Sequence, residues 1–161
     1  MNAYTQRDIR WREGSSSISD ILQSLFATEI LTPSRYLWLV SPWISDIPVL
    51  DNRIGQFSAF VPEWDLGSIR LLQVLEHLAS SGTQITVAFN EDEHNNPVFK
   101  ALGELPQGVA ERVNVYRSRN LHEKGILGDT YYLAGSFNFT YNGVMLNDEV
   151  AHLYTDPEVI A

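Results

Sequence analysis

The residues of this sequence whose types and spacing best suit chemistry lie between positions 122 and 138. His122 and Lys124 stand two apart in an apolar stretch that predicts a β-strand, so both side chains are expected on one face. The run Gly135-Ser136-Phe137-Asn138 follows a second apolar stretch, which predicts a return strand that brings a hydroxyl and an amide back beside them. Imidazole, ammonium, hydroxyl and amide groups that converge make a phosphate site. The ammonium and amide would hold the non-bridging oxygens while the histidine attacks phosphorus.

Each of these residues alone has a simpler interpretation. A single histidine is more often structural than catalytic, Lys124 alone would be a surface lysine, and the run GSFN alone could be only a turn. The joint pattern favours catalysis.

The joint pattern resembles the signature of the phospholipase D superfamily, which is H-x-K, four residues, an aspartate, and then G-S-x-N. The matching positions are His122, Lys124, Asp129, Gly135, Ser136 and Asn138. The interval from Asp129 to Gly135 is one residue shorter than in the usual family pattern, and we expect the hairpin turn or the loss of a bulge to absorb the difference. The run GSFNFT and the downstream Glu149 are similar to the endonuclease-like branch, which has a single motif per chain.

A closer similarity is to the DpdK family, small phospholipase D-like proteins from bacterial gene clusters for 7-deazaguanine DNA modification. It rests on WLVSPWISDIPVLDN (Trp38 to Asn52) together with LHEKG and GSFNFTYNG. This resemblance implies a setting of DNA modification and restriction.

The superfamily resemblance also implies a mechanism. Two-motif members place two histidines about the scissile phosphate: one forms a phosphohistidine, and the other protonates the leaving oxygen and later activates water. Only His122 of the four histidines has a lysine two positions on, so a symmetric homodimer would supply the second histidine. The implied roles are nucleophile or general acid for His122, phosphate binding for Lys124 and Asn138, an auxiliary donor for Ser136, and orientation of the imidazole for Glu149.

Cofactors are not expected. Lysine, amide and histidine groups would supply what a metal cation otherwise provides. His94 stands among Glu91, Asp92 and Glu93 and could bind a cation, but a solvated acidic loop is the favoured interpretation. Asp129 is expected to be structural, because it stands beside Gly128 at a hairpin tip.

Two arginines just before His122 are candidates for substrate binding. Arg117 and Arg119 could meet flanking phosphates or be ordinary surface arginines, and the sequence favours neither interpretation.

Four residues near the first strand are further candidates. We expect Trp38 and Trp43 to anchor that strand in the core, with base stacking by Trp43 as the alternative. Ser41 and Asp46 could reach the site from the end of the strand.

The elements that must position these residues alternate between strands and helices, which predicts an α/β fold, a phospholipase D-like α-β-α sandwich with a mixed central sheet. Hydrophobic periodicity predicts a helix that begins near Ser17 and ends before Pro33, and a second over 71–79 closed by Gly82. Strands are predicted over 36–43, 83–89, 112–116 and 150–154, and Gly128-Asp129-Thr130 is predicted to turn a hairpin. We expect His77 on the solvent side of the second helix and His152 in packing.

Length and charge bound the remaining hypotheses. Residues 1–16 are predicted to be a flexible lead-in, and 17–161 one domain whose C-terminal helix could be cut short. The net charge of −9 counts against general DNA binding, which depends on neutralised phosphates. No apolar run has the length of a membrane span, which predicts a cytoplasmic protein.

Three functions remain open. The first is a metal-independent phosphodiesterase or nuclease that acts on DNA. The second is a non-catalytic assembly subunit that binds a phosphate or other proteins of a DNA-modification system. Lipid hydrolysis ranks below both, since no basic amphipathic helix is evident.

Overall fold

The computed structural model describes residues 6–10 and 17–161 of the 161-residue chain. The α-helices are α1 (Ser17–Leu31), α2 (Leu71–Ser80), α3 (Asn96–Gly103), α4 (Gln107–Ala110) and α5 (Pro157–Ile160). The strands are β1 (Arg7–Arg10), β2 (Tyr36–Val40), β3 (Pro48–Asp51), β4 (Ser68–Arg70), β5 (Gln84–Asn90), β6 (Val113–Ser118), β7 (Gly125–Leu127), β8 (Tyr132–Gly135) and β9 (Val150–Tyr154). A 3₁₀ turn spans Glu93–Asn95, and a π-helical turn spans Asn142–Leu146.

The central sheet has seven strands in the order β1-β9-β8-β7-β2-β5-β6. β2, β5 and β6 are parallel, and the helix-containing segments between them supply the crossover connections that parallel strands need; the remaining pairings are antiparallel. β3 and β4 form a separate two-stranded ladder. The predicted α/β class with a mixed sheet is confirmed.

The hydrophobic core lies between one face of this sheet and the helices. Along α1, Ile18, Leu22 and Phe26 are buried at helical spacing, and Leu37 and Leu39 meet them from β2. Burial of each such side chain contributes about 1.5–3 kcal/mol. The helix predicted from Ser17 is therefore confirmed.

The other face of the sheet carries exposed aromatic side chains. Because side chains alternate along a strand, Tyr36 and Trp38 point away from Leu37 and Leu39 and are 57% and 47% exposed. Tyr116 on β6 is 62% exposed. The prediction that Trp38 anchors the core is wrong, since the core takes the other face of its strand.

The segment from 45 to 65, which shows no clear sequence period, is organised around a buried amide. Asn52 is fully buried, and its Nδ2 donates to Ser58 Oγ at 3.0 Å and to the Asp65 carbonyl at 2.9 Å. Its Oδ1 accepts from Phe57 N at 2.8 Å. A buried polar group is stable only when it is hydrogen-bonded, so these contacts hold the loop in one conformation.

Two local expectations are corrected. Residues 7–10, inside the predicted flexible lead-in, form β1 against β9, while the rest of the lead-in, 1–5 and 11–16, lies outside the described residues. His77 is partly buried rather than exposed, with its ring edge-on to Trp64 at a centroid distance of 5.4 Å. This burial lowers the pKa of His77.

The predicted hairpin is formed by β7 and β8. Gly128 N donates to the Tyr131 carbonyl at 3.0 Å, and the ladder keeps a regular register from Gly125–Ala134 to Leu127–Tyr132. The shortened interval of the motif is therefore accommodated in this hairpin. At the tip, the Asp129 carboxylate accepts from Arg35 N at 2.9 Å, which ties the turn to the start of β2.

Candidate active site

The residues of the predicted constellation lie at one end of the central sheet. The parallel strands β2, β5 and β6 end here, which places Ser41 and Asn90 at this end. β7 and β9 run opposite to β2 and β8, so Lys124 and Glu149 lie just before their strands, and Ser136 lies just after β8. Sheet topology thus assembles residues that are far apart in the sequence.

His122 and Lys124 lie in an irregular segment before β7, and not within a strand as predicted. The ladder with β2 begins only at the pair Val40–Gly125. β2 ends at that pair, and Pro42, two residues further on, has no N–H to donate to a neighbouring strand. Residues 122–124, which precede β7, therefore have no partner strand to pair with.

The segment is held instead by a side chain from β5. Asn90 Oδ1 accepts from Leu121 N at 2.8 Å, and Asn90 Nδ2 donates to the Leu121 carbonyl at 3.2 Å. Next to it, Lys124 Nζ donates to the His122 carbonyl at 3.1 Å. The His122 ring is exposed and makes no hydrogen bond to another residue within 6–10 and 17–161. The imidazole is therefore available to a substrate.

The two halves of the motif are joined through the backbone. Gly135 N donates to the Lys124 carbonyl at 3.3 Å, which places the G-S-x-N segment beside the H-x-K segment. A Cβ on Gly135 would lie 2.2 Å from the Val150 carbonyl oxygen, so only glycine permits this approach to β9.

Ser136 is fixed by Glu149 and the start of β9. Its hydroxyl donates to Glu149 Oε2 and accepts from Val150 N at 3.0 Å. The other carboxylate oxygen of Glu149 accepts from Asn147 Nδ2 at 3.3 Å. The predicted bond from Glu149 to the His122 ring is therefore not made within one chain, because the carboxylate is directed to Ser136.

Asn138 is positioned by a buried serine. The Ser41 hydroxyl donates to the Trp43 carbonyl at 2.6 Å, lies 3.5 Å from Asn138 Oδ1, and accepts from Phe139 N at 3.0 Å. Ser41 is fully buried, so it holds the backbone next to Asn138 rather than contacting a substrate. This corrects the expectation that Ser41 binds substrate. Asp46 also stays out of the site, because its carboxylate pairs with Arg70 at 3.0 Å.

The chain after Asn138 turns through the π-helical segment 142–146, which packs against the Asn138 backbone. A Cβ on Gly143 would lie 2.3 Å from the Asn138 carbonyl oxygen. Gly143 N donates to Thr140 Oγ1 at 3.1 Å. Single π-helical turns occur often at functional sites, and this one supports the Asn138 main chain.

The two candidate arginines differ in their surroundings. The Arg117 guanidinium lies over the Phe99 ring of α3, 4.5 Å from its centroid, which directs it toward the helix. Arg119 pairs with Glu91 at 3.4 Å, and both are exposed. Both guanidinium groups are thus already engaged by side chains of the chain itself.

A groove of about 390 Å³ opens directly beside Asn138. It is lined by Trp43, Ser45, His94, Asn138, Thr140, Tyr141 and Asn142. Trp43 is 43% exposed, so the expectation that it anchors the core is wrong. His94 Nε2 lies 2.9 Å from Ser45 Oγ.

The acidic loop around His94 holds no group of metal-ligating side chains among the described residues. Within residues 6–10 and 17–161, no three His, Asp or Glu side chains are grouped so that they could hold a metal ion. Asp92 instead accepts hydrogen bonds from His94 N at 2.8 Å and from the Trp43 side chain, and these lower its pKa.

Three supporting residues were not anticipated from the sequence. Asn90 and Asn95 belong to a run, NEDEHNN, whose polarity suggested only a solvated loop, and Gly143, the last residue of the run GSFNFTYNG, was given no role of its own. Asn95 is 1% exposed, and its amide bonds Ile44 N and the carbonyls of Pro42 and Asn90. An asparagine directly after a buried strand was the one available signal.

Comparison with known proteins identifies the family of this chain. Residues 56–161 match the family described as cardiolipin synthase, PLD-like domain. The chain belongs to the phospholipase D-like family. This match confirms the predicted superfamily membership. At the level of the family, it also confirms the expected class of enzyme, a phospholipase D-like phosphodiesterase.

Solved structures agree with this assignment at the level of the fold. NucT from Helicobacter pylori has a TM-score of 0.64 and 16% identity, with 98% of this chain and 89% of that chain covered. Nuc from Salmonella typhimurium, a phospholipase D family member, has a TM-score of 0.59 and 16% identity, covering 98% and 87%.

One curated relative has a local similarity. The modification methylase StsI of Streptococcus sanguinis is 32% identical over 63 residues, which is 39% of this chain. The match spans only 10% of the length of that protein. The similarity to DpdK remains a prediction. Among the described helices, none is long and apolar enough to cross a membrane.

Proposed function

We propose that this phospholipase D-like chain is a nuclease that cleaves phosphodiester bonds of DNA without a metal ion, at a site shared by two copies. The hydrogen bond from Gly135 N to the Lys124 carbonyl carries the proposal, since it brings the two halves of the motif together. It supports a phosphate position between Lys124, Ser136 and Asn138, with the exposed His122 beside it.

The chemistry assigns one role to each group. His122 attacks phosphorus and forms a phosphohistidine as the P–O bond to the leaving oxygen breaks. The His122 of a second copy gives its proton to that oxygen and then takes one from the water that hydrolyses the P–N bond. Lys124 and Asn138 hold the non-bridging oxygens, whose negative charge increases in the transition state. The single hydroxyl proton of Ser136 goes to Glu149, so Ser136 orders the segment beside the phosphate rather than donating to it.

The second copy is required by the count of motifs. Each chain has one H-x-K motif, and a single imidazole cannot be both the nucleophile and the acid for the leaving group in the same step. A symmetric dimer supplies the second imidazole at the exposed end of the sheet.

A DNA-modification setting is the finer part of the proposal. Its support is the resemblance to DpdK and the local similarity to a modification methylase. We place the protein in the cytoplasm with the DNA on which such systems act.

The test is a cleavage assay in excess EDTA with single-stranded DNA, duplex DNA and anionic liposomes as substrates. Wild type is expected to cut DNA, and His122→Ala to reduce the rate by at least about 10³-fold at unchanged thermal stability. Inhibition of wild type by EDTA, or full activity of the variant, would refute the histidine mechanism. If the protein cleaves only the lipid of the liposomes, the substrate is a phospholipid and not DNA.

An assembly subunit is the second candidate, because one face of the sheet is exposed and aromatic. Tyr36, Trp38 and Tyr116 leave more apolar surface on this face than a solvated strand requires. If wild type shows no cleavage but captures another protein of a DNA-modification system through Trp38, this function replaces catalysis.

A further inference from the structure

The groove beside Asn138 has features of a nucleobase site. Trp43 and Tyr141 are 43% and 54% exposed and lie on one groove. Asn138, a proposed phosphate ligand, lies on the same groove. A substrate whose phosphate is held at Asn138 therefore meets the aromatic surface of the same groove.

The exposed indole is held rigidly. The backbone on both sides of Trp43 is fixed by the buried Asn95, which accepts from Ile44 N at 2.8 Å and donates to the Pro42 carbonyl at 2.9 Å. The Trp43 carbonyl accepts from Ser41 Oγ at 2.6 Å, and the Trp43 side chain bonds the Asp92 carboxylate. A large aromatic ring that is fixed and yet open to solvent is preorganised for stacking, because little entropy is lost when a ligand covers it.

Polar groups of the groove complement a base edge. The Ser45 hydroxyl lies 2.9 Å from His94 Nε2, and both residues line the groove together with Thr140. Hydroxyl and imidazole groups can each donate or accept, so the pair can adapt to the edge of different bases.

The charge of the protein favours stacking over phosphate contacts. The net charge is −9, and Arg119, just after β6, is already paired with Glu91. Affinity for a nucleic acid backbone depends on the number of neutralised phosphates, which is small here. Stacking of bases on aromatic rings does not depend on charge, and it needs a base whose face is free.

We propose that the groove formed by Trp43, His94 and Tyr141 binds one unpaired nucleobase beside the scissile phosphate, so that the substrate is single-stranded or locally unpaired nucleic acid. This inference rests on the proposed function for the identity of the neighbouring phosphate. It deepens that function by naming the form of the nucleic acid.

The test measures binding and cleavage separately. His122→Ala serves as the binding background, with a short fluorescein-labelled oligothymidylate, the same strand annealed to its complement, and an all-abasic strand of equal charge as probes. The base-bearing single strand is expected to bind about tenfold more tightly than the abasic strand and the duplex, with a shallow salt dependence. Trp43→Ala in this background is expected to remove that preference. Phe60→Ala removes an aromatic residue of 57% exposure outside the groove and should leave it intact.

In the active protein, Trp43→Ala and Tyr141→Ala are each expected to raise KM for the single strand about tenfold, with a smaller effect on kcat. Equal binding of duplex and single strand, or a base preference that survives Trp43→Ala, would overturn the inference even if DNA is cleaved. A Trp43-dependent base preference in a chain that cleaves no diester would instead support the groove and reject the proposed nuclease.

Discussion

The hydroxyl of Ser136 donates its hydrogen bond to the carboxylate of Glu149, and the pair closes the segment 136–149 that joins β8 to β9. Backbone bonds on both sides fix this pair, because Ser136 N donates to the Val150 carbonyl at 2.9 Å and Val150 N donates to Ser136 Oγ at 3.0 Å. The serine of the motif is therefore held by the acidic residue that the sequence had assigned to the histidine.

Removal of the Glu149 charge is expected to impair catalysis through Ser136. A hydrogen bond to a charged group contributes about 1.5–3 kcal/mol, so Glu149→Gln should lower kcat by about 10–100-fold. Ser136→Ala should give a similar loss, and the double variant should lose little more than either single variant. Steady-state kinetics measure this, with the exposed Glu76→Gln as control. Additive losses would mean that the two residues act separately.

Lys124 is expected to stabilise the transition state rather than the fold. Lys124→Met should reduce kcat by about 10²–10³-fold, because it removes the positive charge from the non-bridging oxygens. Lys124→Arg should recover only part of the rate, since the guanidinium fork does not reproduce a compact ammonium. Lys100→Met, an exposed lysine of α3, is the control. Equal kcat values for Lys124→Met and wild type would place the phosphate elsewhere.

Gly143 tests whether the backbone of Asn138 must stay in place. Gly143→Ala would put a methyl group 2.3 Å from the Asn138 carbonyl, so the main chain must move at a cost of about 1–3 kcal/mol. We expect a lower Tm and a loss of activity at temperatures where the variant is still folded. Gly103→Ala, where a Cβ meets nothing within 4 Å, should leave both unchanged. Full activity of Gly143→Ala would show that Asn138 does not need this support.

Alkaline pH should destabilise the fold through Tyr131. Burial, and then the negative charge of Glu29, raise the pKa of Tyr131 in the folded state; its hydroxyl donates to Glu29 Oε1 at 2.9 Å. A raised pKa means that this stability is present below the unfolded value of about 10 and is lost as pH rises above it.

The free energy of unfolding should therefore fall by up to about 1.4 kcal/mol per pH unit above about pH 10 from this group. Urea denaturation across that range measures the slope. Tyr131→Phe should be less stable near neutral pH by about 1–2 kcal/mol, because Glu29 loses a buried partner, but its alkaline slope should be smaller. An unchanged slope in the variant would assign the effect to other groups.

Much of the fold follows from patterns that local physics dictates. The apolar spacing of α1, the glycine after α2 and the turn residues of the β7–β8 hairpin each predicted the element observed. Burial was harder to predict, because YLWLV does not say which face of β2 meets the core. Trp38 was placed there for its size, whereas Leu37 and Leu39 occupy the core.

The candidate site was partly predictable for a related reason. The motif located His122, Lys124, Ser136 and Asn138 through its spacing alone, but spacing does not determine hydrogen-bond partners. The engagement of Glu149 with Ser136 and the burial of Ser41 depend on how β9 begins and β2 ends, which is a tertiary property. The role of Asn90 depends likewise on the neighbouring strand.

The sharing of one site by two copies is tested most directly by mixing wild type with His122→Ala. The two are unfolded and refolded together at varied ratios, and DNA cleavage is measured in excess EDTA. If each reaction needs both histidines, activity falls as the square of the wild-type fraction, to about a quarter at equal amounts. A linear decline, to about half at equal amounts, would mean that one chain holds a complete site and would contradict the account.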